Sequence, residues 1–129
     1  MNIPNDLQYS KSHEWLRLHD DGTAEIGLTD YAQQQLGQLV FVNLPEPGDP
    51  VTMGEAFTDV ESVKAVSDVF SPVSATIVAI NEELLDDPGA INADPYEAWL
   101  IRVEDIIETE DLLDGAAYEA HCAEEAEEG

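Results

Sequence analysis

The chain is poor in positive charge, in cysteine and in long apolar runs. Its 129 residues contain four Lys and Arg against 29 Asp and Glu, which gives a formal net charge of -25. Such a field repels phosphate backbones and anionic lipid headgroups, so nucleic acid and membrane surfaces are excluded as partners. The single cysteine, Cys122, cannot form an intramolecular disulfide and is compatible with a reducing compartment.

Targeting signals are also lacking. No apolar stretch approaches the roughly 20 residues needed to cross a bilayer. Residues 1–6 have neither the basic n-region of a signal peptide nor the Arg-rich pattern of a transit peptide. We therefore expect a cytoplasmic, prokaryotic protein. Solvation, steering of basic partners and salt adaptation would each explain the acidity, and the sequence does not separate them.

What the sequence does contain is a series of short β segments, in a chain of the length of one compact domain. Residues 15–19 and 23–27 are predicted strands that flank Asp21 and Gly22, a pair typical of hairpin turns. Residues 38–44 form a strand that is apolar on both faces in its middle, as expected inside a sandwich or barrel. Further strands are predicted at 55–62, 65–70, 73–80 and 99–103.

Short helices are predicted between and after these strands. Thr29 is a candidate N-cap for a helix that ends before Gly37. Asn81 is a candidate cap for a helix over 82–87, which the following Pro-Gly pair terminates. The end of the chain is predicted to be helical, with Thr109 and Asp114 as cap candidates and residues 124–129 too acidic to pack.

The most informative segment surrounds Lys64, one of two lysines in the chain. Composition alone favours an ordinary exposed lysine, and residues 62–65 contain no Gly, Asn or Pro that would predict a turn. However, the segment Glu-Ser-Val-Lys-Ala resembles the lipoylation segment of glycine cleavage H proteins, in which the lysine is amidated by lipoic acid. Biotin carriers have Met on both sides of the lysine, and lipoyl domains of 2-oxo acid dehydrogenases usually have Asp before it. Val63 and Ala65 therefore favour the H family.

The resemblance extends over about residues 7–120. Residues 12–15 (Ser-His-Glu-Trp) resemble the family's N-terminal signature, 27–32 its first helix entry, and 36–45 the strand after it. The match continues at 71–74 and at 94–96 with Trp99. The chain departs from the family pattern at Ala75, at Ala79 and in the short link formed by Glu97 and Ala98.

The resemblance implies a mainly β fold, a barrel-sandwich hybrid of antiparallel strands with short peripheral helices and a C-terminal helix. Residues 1–129 would form a single lipoyl-carrier domain, with a lipoyl hairpin at about 55–70 and an acidic tail at about 122–129. Lys64 would carry lipoate as an amide. The residues implied in recognition by the modifying enzyme, a lipoate ligase or an octanoyltransferase, are Glu61, Ser62, Val63 and Ala65.

The implied function is non-catalytic. A monomeric carrier would take an aminomethyl group from glycine decarboxylase (P protein), pass it to the aminomethyltransferase (T protein), and be reoxidised by dihydrolipoamide dehydrogenase (L protein). The loaded arm would fold into a cleft at Ser12, Glu14 and Asp68, where carboxylates accept charge-assisted hydrogen bonds from the cargo ammonium. For Glu14 and Asp68 the alternative is that they are solvated surface acids.

Two other functions remain open from the sequence: a lipoate relay or lipoyl scaffold for another redox system, and an unmodified acidic interaction domain. The spacing of His13, His19 and His121 matches no ligand pattern, so no metal site is predicted. No Ser/His/Asp or Cys/His arrangement indicates an enzyme.

Overall fold

The fold is mainly antiparallel β. A computed structural model describes the backbone of residues 2–128 and the side chains of residues 2–125. The strands are β1 (Gln8–Tyr9), β2 (Glu14–Leu18), β3 (Ala24–Leu28), β4 (Leu39–Asn43), β5 (Pro50–Val51), β6 (Ala56–Ser62), β7 (Val66–Phe70), β8 (Val73–Ile80) and β9 (Ile101–Thr109). The helices are α1 (Asp30–Leu36), α2 (Glu83–Asp86), α3 (Ala90–Ala93) and α4 (Gly115–Glu128).

The strands form two sheets. The larger has the order β1-β2-β3-β9-β8-β5, and the smaller has the order β4-β6-β7. Neighbouring strands are antiparallel throughout the described part of the chain. The predicted barrel-sandwich architecture, with short helices and a C-terminal helix, is confirmed.

Two clusters of buried side chains hold the sheets and helices together. The larger fills the space between the sheets and includes Leu16, Ile26, Val60 and Ile77. The smaller fastens α4 to the N-terminal strands through aromatic residues and Cys122, and within it the rings of Tyr9 and Tyr118 are stacked at 4.6 Å. Among described residues, no helix is long and apolar enough to cross a membrane.

The first helix begins and ends where the sequence predicts. The Thr29 side chain accepts a hydrogen bond from the backbone N–H of Ala32, at 3.2 Å. Gly37 follows the last turn with φ +79, a backbone conformation that disfavours side chains. These two residues fix the length and direction of α1, which forms one wall of the pocket described below.

Two predictions of helix caps are wrong. Thr109 ends β9 instead of capping a helix, because residues up to Thr109 pair with β8, and backbone pairing overrides local propensity. The helix begins later, where the Asp114 carboxylate accepts from the N–H of Ala117 at 2.8 Å. Asn81 does not cap α2, whose N-cap is Glu82 without a side-chain hydrogen bond.

The prediction that β4 is covered on both faces is also wrong. Val40 and Phe41 are half exposed, whereas Leu39 and Val42 are buried. A register shift between Leu39 and Phe41 places two apolar side chains in succession on the exposed side.

Candidate functional site

Lys64 lies at the tip of the hairpin formed by β6 and β7. The last cross-strand pair is Glu61 with Val66. Beyond it the Ser62 N–H donates to the carbonyl of Ala65 at 2.8 Å, and the Ser62 hydroxyl oxygen accepts from the N–H groups of Lys64 and Ala65 at 3.2 and 3.1 Å. A side-chain oxygen therefore acts as the turn acceptor, which permits a tight tip without glycine or asparagine.

The tip is anchored to the end of α1. The Val63 N–H donates to the carbonyl of Gln38 at 3.0 Å. The Cε atom of Lys64 lies 3.6 Å from the position that a Cβ atom would occupy at Gly37. Lys64 is exposed, and the ion pairs found among described residues do not include it. Its amine is accessible to an acylating enzyme while its backbone is held.

The four residues predicted for recognition by the modifying enzyme are not equivalent. Glu61, Val63 and Ala65 are exposed around Lys64, and Val63 has 71% of its surface accessible. Ser62 is buried, and its hydroxyl holds the turn. The first three are exposed around the tip, whereas Ser62 shapes the backbone that presents them.

A pocket of about 140 Å³ lies between α1, β7 and the segment that leads into β2. Ser12, Glu14 and Asp68 all line it, so the structure brings together the three residues predicted for the cleft. The remaining lining residues are His13, Leu28, Tyr31, Ala32, Gln35, Leu36 and Ser67.

Glu14 is the most unusual group of the pocket, because only 1% of its surface is exposed. Its Oε1 accepts from the hydroxyls of Ser10 and Ser12 at 2.6 and 2.5 Å, and its Oε2 accepts from the N–H of Phe70 at 3.2 Å. Burial raises the pKa of Glu14 to about 7, although these hydrogen bonds oppose the shift. Glu14 is not a solvated surface acid, but Asp68 is exposed.

The pocket lining contains no Lys or Arg. A buried carboxylate without a cationic partner is costly, which is why Glu14 holds its proton more tightly than an exposed acid. A guest ammonium would supply the missing charge and would be hydrogen-bonded within a partly apolar cavity. The arrangement can therefore bind a small organic cation.

The sequence did not indicate several residues of this site. Ala32, Gln35 and Leu36 lie at helical spacing on α1, and that period could have placed them on one face. Ser10 could not have been found from a pattern. Its contact with Glu14 requires the chain to turn back at His13, which adopts φ +76 without being glycine.

Known proteins resemble this chain closely. The family model described as glycine cleavage H-protein matches residues 7–125. A glycine cleavage system H protein of Lachnoclostridium phytofermentans is 56% identical over 127 residues, covering 98% of this chain and 100% of the relative. One from Psychrobacter sp. is 50% identical over 122 residues, covering 92% and 97%.

Solved structures agree with this resemblance. The crystal structure of a glycine cleavage system H protein from Mycobacterium marinum superposes with a TM-score of 0.87 at 38% sequence identity. The match covers 96% of this chain and 99% of that one. The likeness therefore extends through both sheets and the C-terminal helix.

Proposed function

This chain belongs to the glycine cleavage H-protein family, and from that premise we propose that it carries its lipoyl group on Lys64 and shelters the loaded arm in the pocket at Glu14. It is a non-catalytic lipoyl carrier of the glycine cleavage system, and it works with the P, T and L proteins. When bound, lipoate supplies a dithiolane that accepts the aminomethyl cargo on sulfur and is returned to the disulfide by the L protein. Because the relatives are bacterial, we place this activity in the cytoplasm.

The observation that carries the proposal is the position of Lys64 on a rigid two-residue tip. A carrier needs an accessible amine for modification and a fixed base from which the arm moves. The Ser62 and Gln38 hydrogen bonds supply the fixed base, and exposure of Lys64 supplies the accessible amine. Exposed Glu61, Val63 and Ala65 are the surface that we propose a lipoate ligase or octanoyltransferase recognises.

The direction of α1 makes the pocket reachable from Lys64. The side chain of Lys64 lies at the Gly37 end of this helix, and Leu36 and Gln35 already belong to the pocket. Seven helical residues span roughly 10 Å at 1.5 Å per residue. Amidation removes the ammonium charge of Lys64, so an apolar arm can lie along Leu36 and place its end near Glu14.

Mass spectrometry of protein from its native host tests the attachment site. We expect one lipoyl increment on the wild-type chain and on Lys11→Arg, and none on Lys64→Arg. Lys11 is a matched control because it is the only other lysine and is also exposed. An increment that persists in Lys64→Arg, or wild-type protein without any increment, would reject Lys64 as the carrier residue.

The proposed role of the pocket is to hold the cargo ammonium away from water. Glu14 contributes a buried carboxylate, Asp68 a second carboxylate at the edge, and Ser12 orients Glu14 through its hydroxyl. We expect Glu14→Gln and Asp68→Asn to accelerate loss of the cargo from loaded carrier. Each removes a charge-assisted hydrogen bond worth about 1.5–3 kcal/mol, which corresponds to roughly 10-fold or more in rate.

Asp59→Asn is the control for this experiment. Asp59 is the cross-strand neighbour of Asp68 on the same hairpin, but it does not line the pocket. Formaldehyde and ammonia release from loaded protein would be followed over time in all variants. Equal decay in wild type, Glu14→Gln and Asp68→Asn would refute the sheltering role without affecting the assignment of Lys64.

A further inference from the structure

A cluster of metal-ligating side chains lies beside the pocket, where α4 packs against the segment before β2. It consists of His13, His121 and Glu125, whose ligand atoms all lie within 4.8 Å of one another. We propose that these three side chains bind a divalent transition metal, with Zn²⁺ as the preferred ion. Histidine spacing predicts no metal site, because His13 is more than 100 residues away from the two residues that the fold brings beside it.

The distances suit one ion between three ligands. The Nε2 of His13 lies 2.6 Å from Oε2 of Glu125, and the Nε2 of His121 lies 3.1 Å from Oε1 of the same carboxylate. Tetrahedral zinc with bonds of about 2.0–2.1 Å places its ligand atoms roughly 3.3 Å apart. Forming the coordination sphere therefore requires the 2.6 Å contact to lengthen toward this spacing, and three protein ligands leave a fourth position open.

The fold presents these ligands from two rigid supports. His121 and Glu125 are four residues apart on α4 and so share one face of the helix. His13 is held by its φ of +76 and by the ring of Tyr31, whose centroid lies 4.6 Å from that of the imidazole. An ion at this point would cross-link α4 to the segment that carries Ser12 and Glu14.

The second nitrogen of His13 has the support that zinc-binding histidines usually have. Its Nδ1 lies 2.8 Å from the Tyr118 hydroxyl, which in turn lies 2.6 Å from the Thr29 hydroxyl. Both hydroxyls rotate, so when Nε2 binds a metal the Nδ1–H group can donate to the Tyr118 oxygen, and the Tyr118 hydroxyl can donate to the Thr29 oxygen. Such an outer contact fixes the tautomer and orientation of a ligand histidine.

The choice of metal follows from the ligand types. Two imidazoles and one carboxylate suit zinc and similar transition ions, whereas Mg²⁺ and Ca²⁺ prefer oxygen ligands. The negative field of the chain attracts any cation, so selectivity has to come from the histidines. Binding would also require His121 to give up its 3.0 Å hydrogen bond with the carbonyl of Lys11.

Titration calorimetry with ZnCl₂ on the chelator-treated full chain without lipoate tests the proposal. We expect one Zn²⁺ per chain, weakened at least about tenfold by His121→Ala and by Glu125→Gln. His19→Ala is the control, since His19 is the remaining histidine and contacts Glu25 elsewhere. Excess Mg²⁺ in the buffer suppresses binding by exposed carboxylates.

Cobalt substitution provides a second readout that does not depend on affinity. Co²⁺ in a site with two histidines and one carboxylate should give visible absorption bands typical of four-coordinate cobalt, and His121→Ala should abolish them. Circular dichroism confirms that each variant is folded, and His121 is suitable because it is partly exposed. Zinc binding that is unchanged in His121→Ala, or absent from wild type, would overturn the proposal and leave the carrier function untouched.

Discussion

Two buried glutamates on neighbouring strands have opposite environments. Glu14 on β2 is 1% exposed and Glu25 on β3 is 6% exposed. Glu25 is paired with the guanidinium groups of Arg102 and Arg17, at 2.8 and 3.4 Å, and with His19 at 3.2 Å. Glu14 has two hydroxyls and one backbone N–H around it instead.

The difference appears in their acidity. Burial alone would raise the pKa of Glu25, but hydrogen bonds from Arg102, His19 and Arg17 outweigh it and hold the pKa below its ordinary value. Burial dominates at Glu14, and its pKa is raised to about 7. A carboxylate that is paired with cationic side chains, like Glu25, stabilises the fold. A carboxylate without a cationic partner, like Glu14, is available to a ligand. Both arginines of this chain pair with Glu25, so neither is placed to neutralise the carboxylate in the pocket.

Removing the ion-paired carboxylate of Glu25 should have the largest effect on the free energy of unfolding. Glu25→Ala leaves two arginines facing each other without their common partner, and we expect a loss of about 2–3 kcal/mol in the free energy of unfolding. This is below the usual cost of breaking a buried pair because both arginines are partly exposed. Urea denaturation measures the loss, and exposed Glu104→Ala is the control. A loss below 0.5 kcal/mol would remove the distinction between the two glutamates.

The pH dependence of stability should distinguish the two sites next. The folded chain holds a proton on Glu14 that the unfolded chain releases near the ordinary value of 4.5. The contribution of Glu14 is therefore complete below pH 4.5 and is lost as pH rises through about 7, by on the order of 3 kcal/mol. Glu14→Gln should lack this decline. Denaturation at several pH values in the presence of a chelator tests it, and parallel curves for wild type and variant would contradict the assignment.

Glu25 should respond in the other direction. Its lowered pKa means that its stabilisation is present above the ordinary value and is lost as pH falls through the folded value. Acid-induced unfolding of wild type and of Glu25→Gln would be compared. The loss of stability that is seen in wild type but not in Glu25→Gln is the contribution of Glu25, apart from that of the exposed acids.

Removing a hydroxyl partner of Glu14 should have a smaller effect. Ser10 is buried, and its hydroxyl donates to Oε1 of Glu14 while its oxygen accepts from the Glu14 N–H at 2.9 Å. We expect Ser10→Ala to cost about 1 kcal/mol at pH 8, where Glu14 is ionised, and less at pH 5. Thr23→Ala, which removes a hydroxyl bond to exposed Asp21, should show no such pH difference.

Adding a cation to the pocket should have the smallest effect on the free energy of unfolding. It should nevertheless change the rate of cargo loss measurably. Gln35→Lys places an ammonium on the exposed side of the lining, and Gln34→Lys places the same charge one residue away outside it. We expect both to change stability by less than about 0.5 kcal/mol. Only Gln35→Lys should lower the pKa of Glu14, seen by carboxyl NMR, and accelerate cargo loss by competing with the cargo for the carboxylate.

The sequence predicted the fold best where local signals and tertiary contacts agree. The strand at 73–80 and the capped helix α1 occur at the predicted positions. The sequence predicts a helical tail after residue 103, yet residues 104–109 extend β9 by pairing with β8. A residue at the edge of a sheet takes its conformation from its partner strand, which a single segment does not reveal.

The site was predictable only in part, for physical reasons. The lysine motif located the hairpin, but no turn residue marks its tip, because the acceptor is the Ser62 side chain. Glu14 was chosen by resemblance, whereas its burial depends on Phe70 and Ser10 from other segments. Residues 124–129 were expected not to pack, but Glu125 lies 2.6 Å from His13. The side chains of residues 126–129, the rest of the predicted acidic tail, lie outside the described residues.

The narrow tip of the hairpin has a consequence for the throughput of the whole system. Only Val63 and Lys64 project beyond the last bonded residues, so an enzyme that encloses them leaves no room for a second one. The three partner enzymes must therefore bind the tip one at a time. Each carrier molecule has to visit all three before it can accept another aminomethyl group. Flux through the cycle should then scale with the number of carriers until the slowest of the three enzymes is saturated.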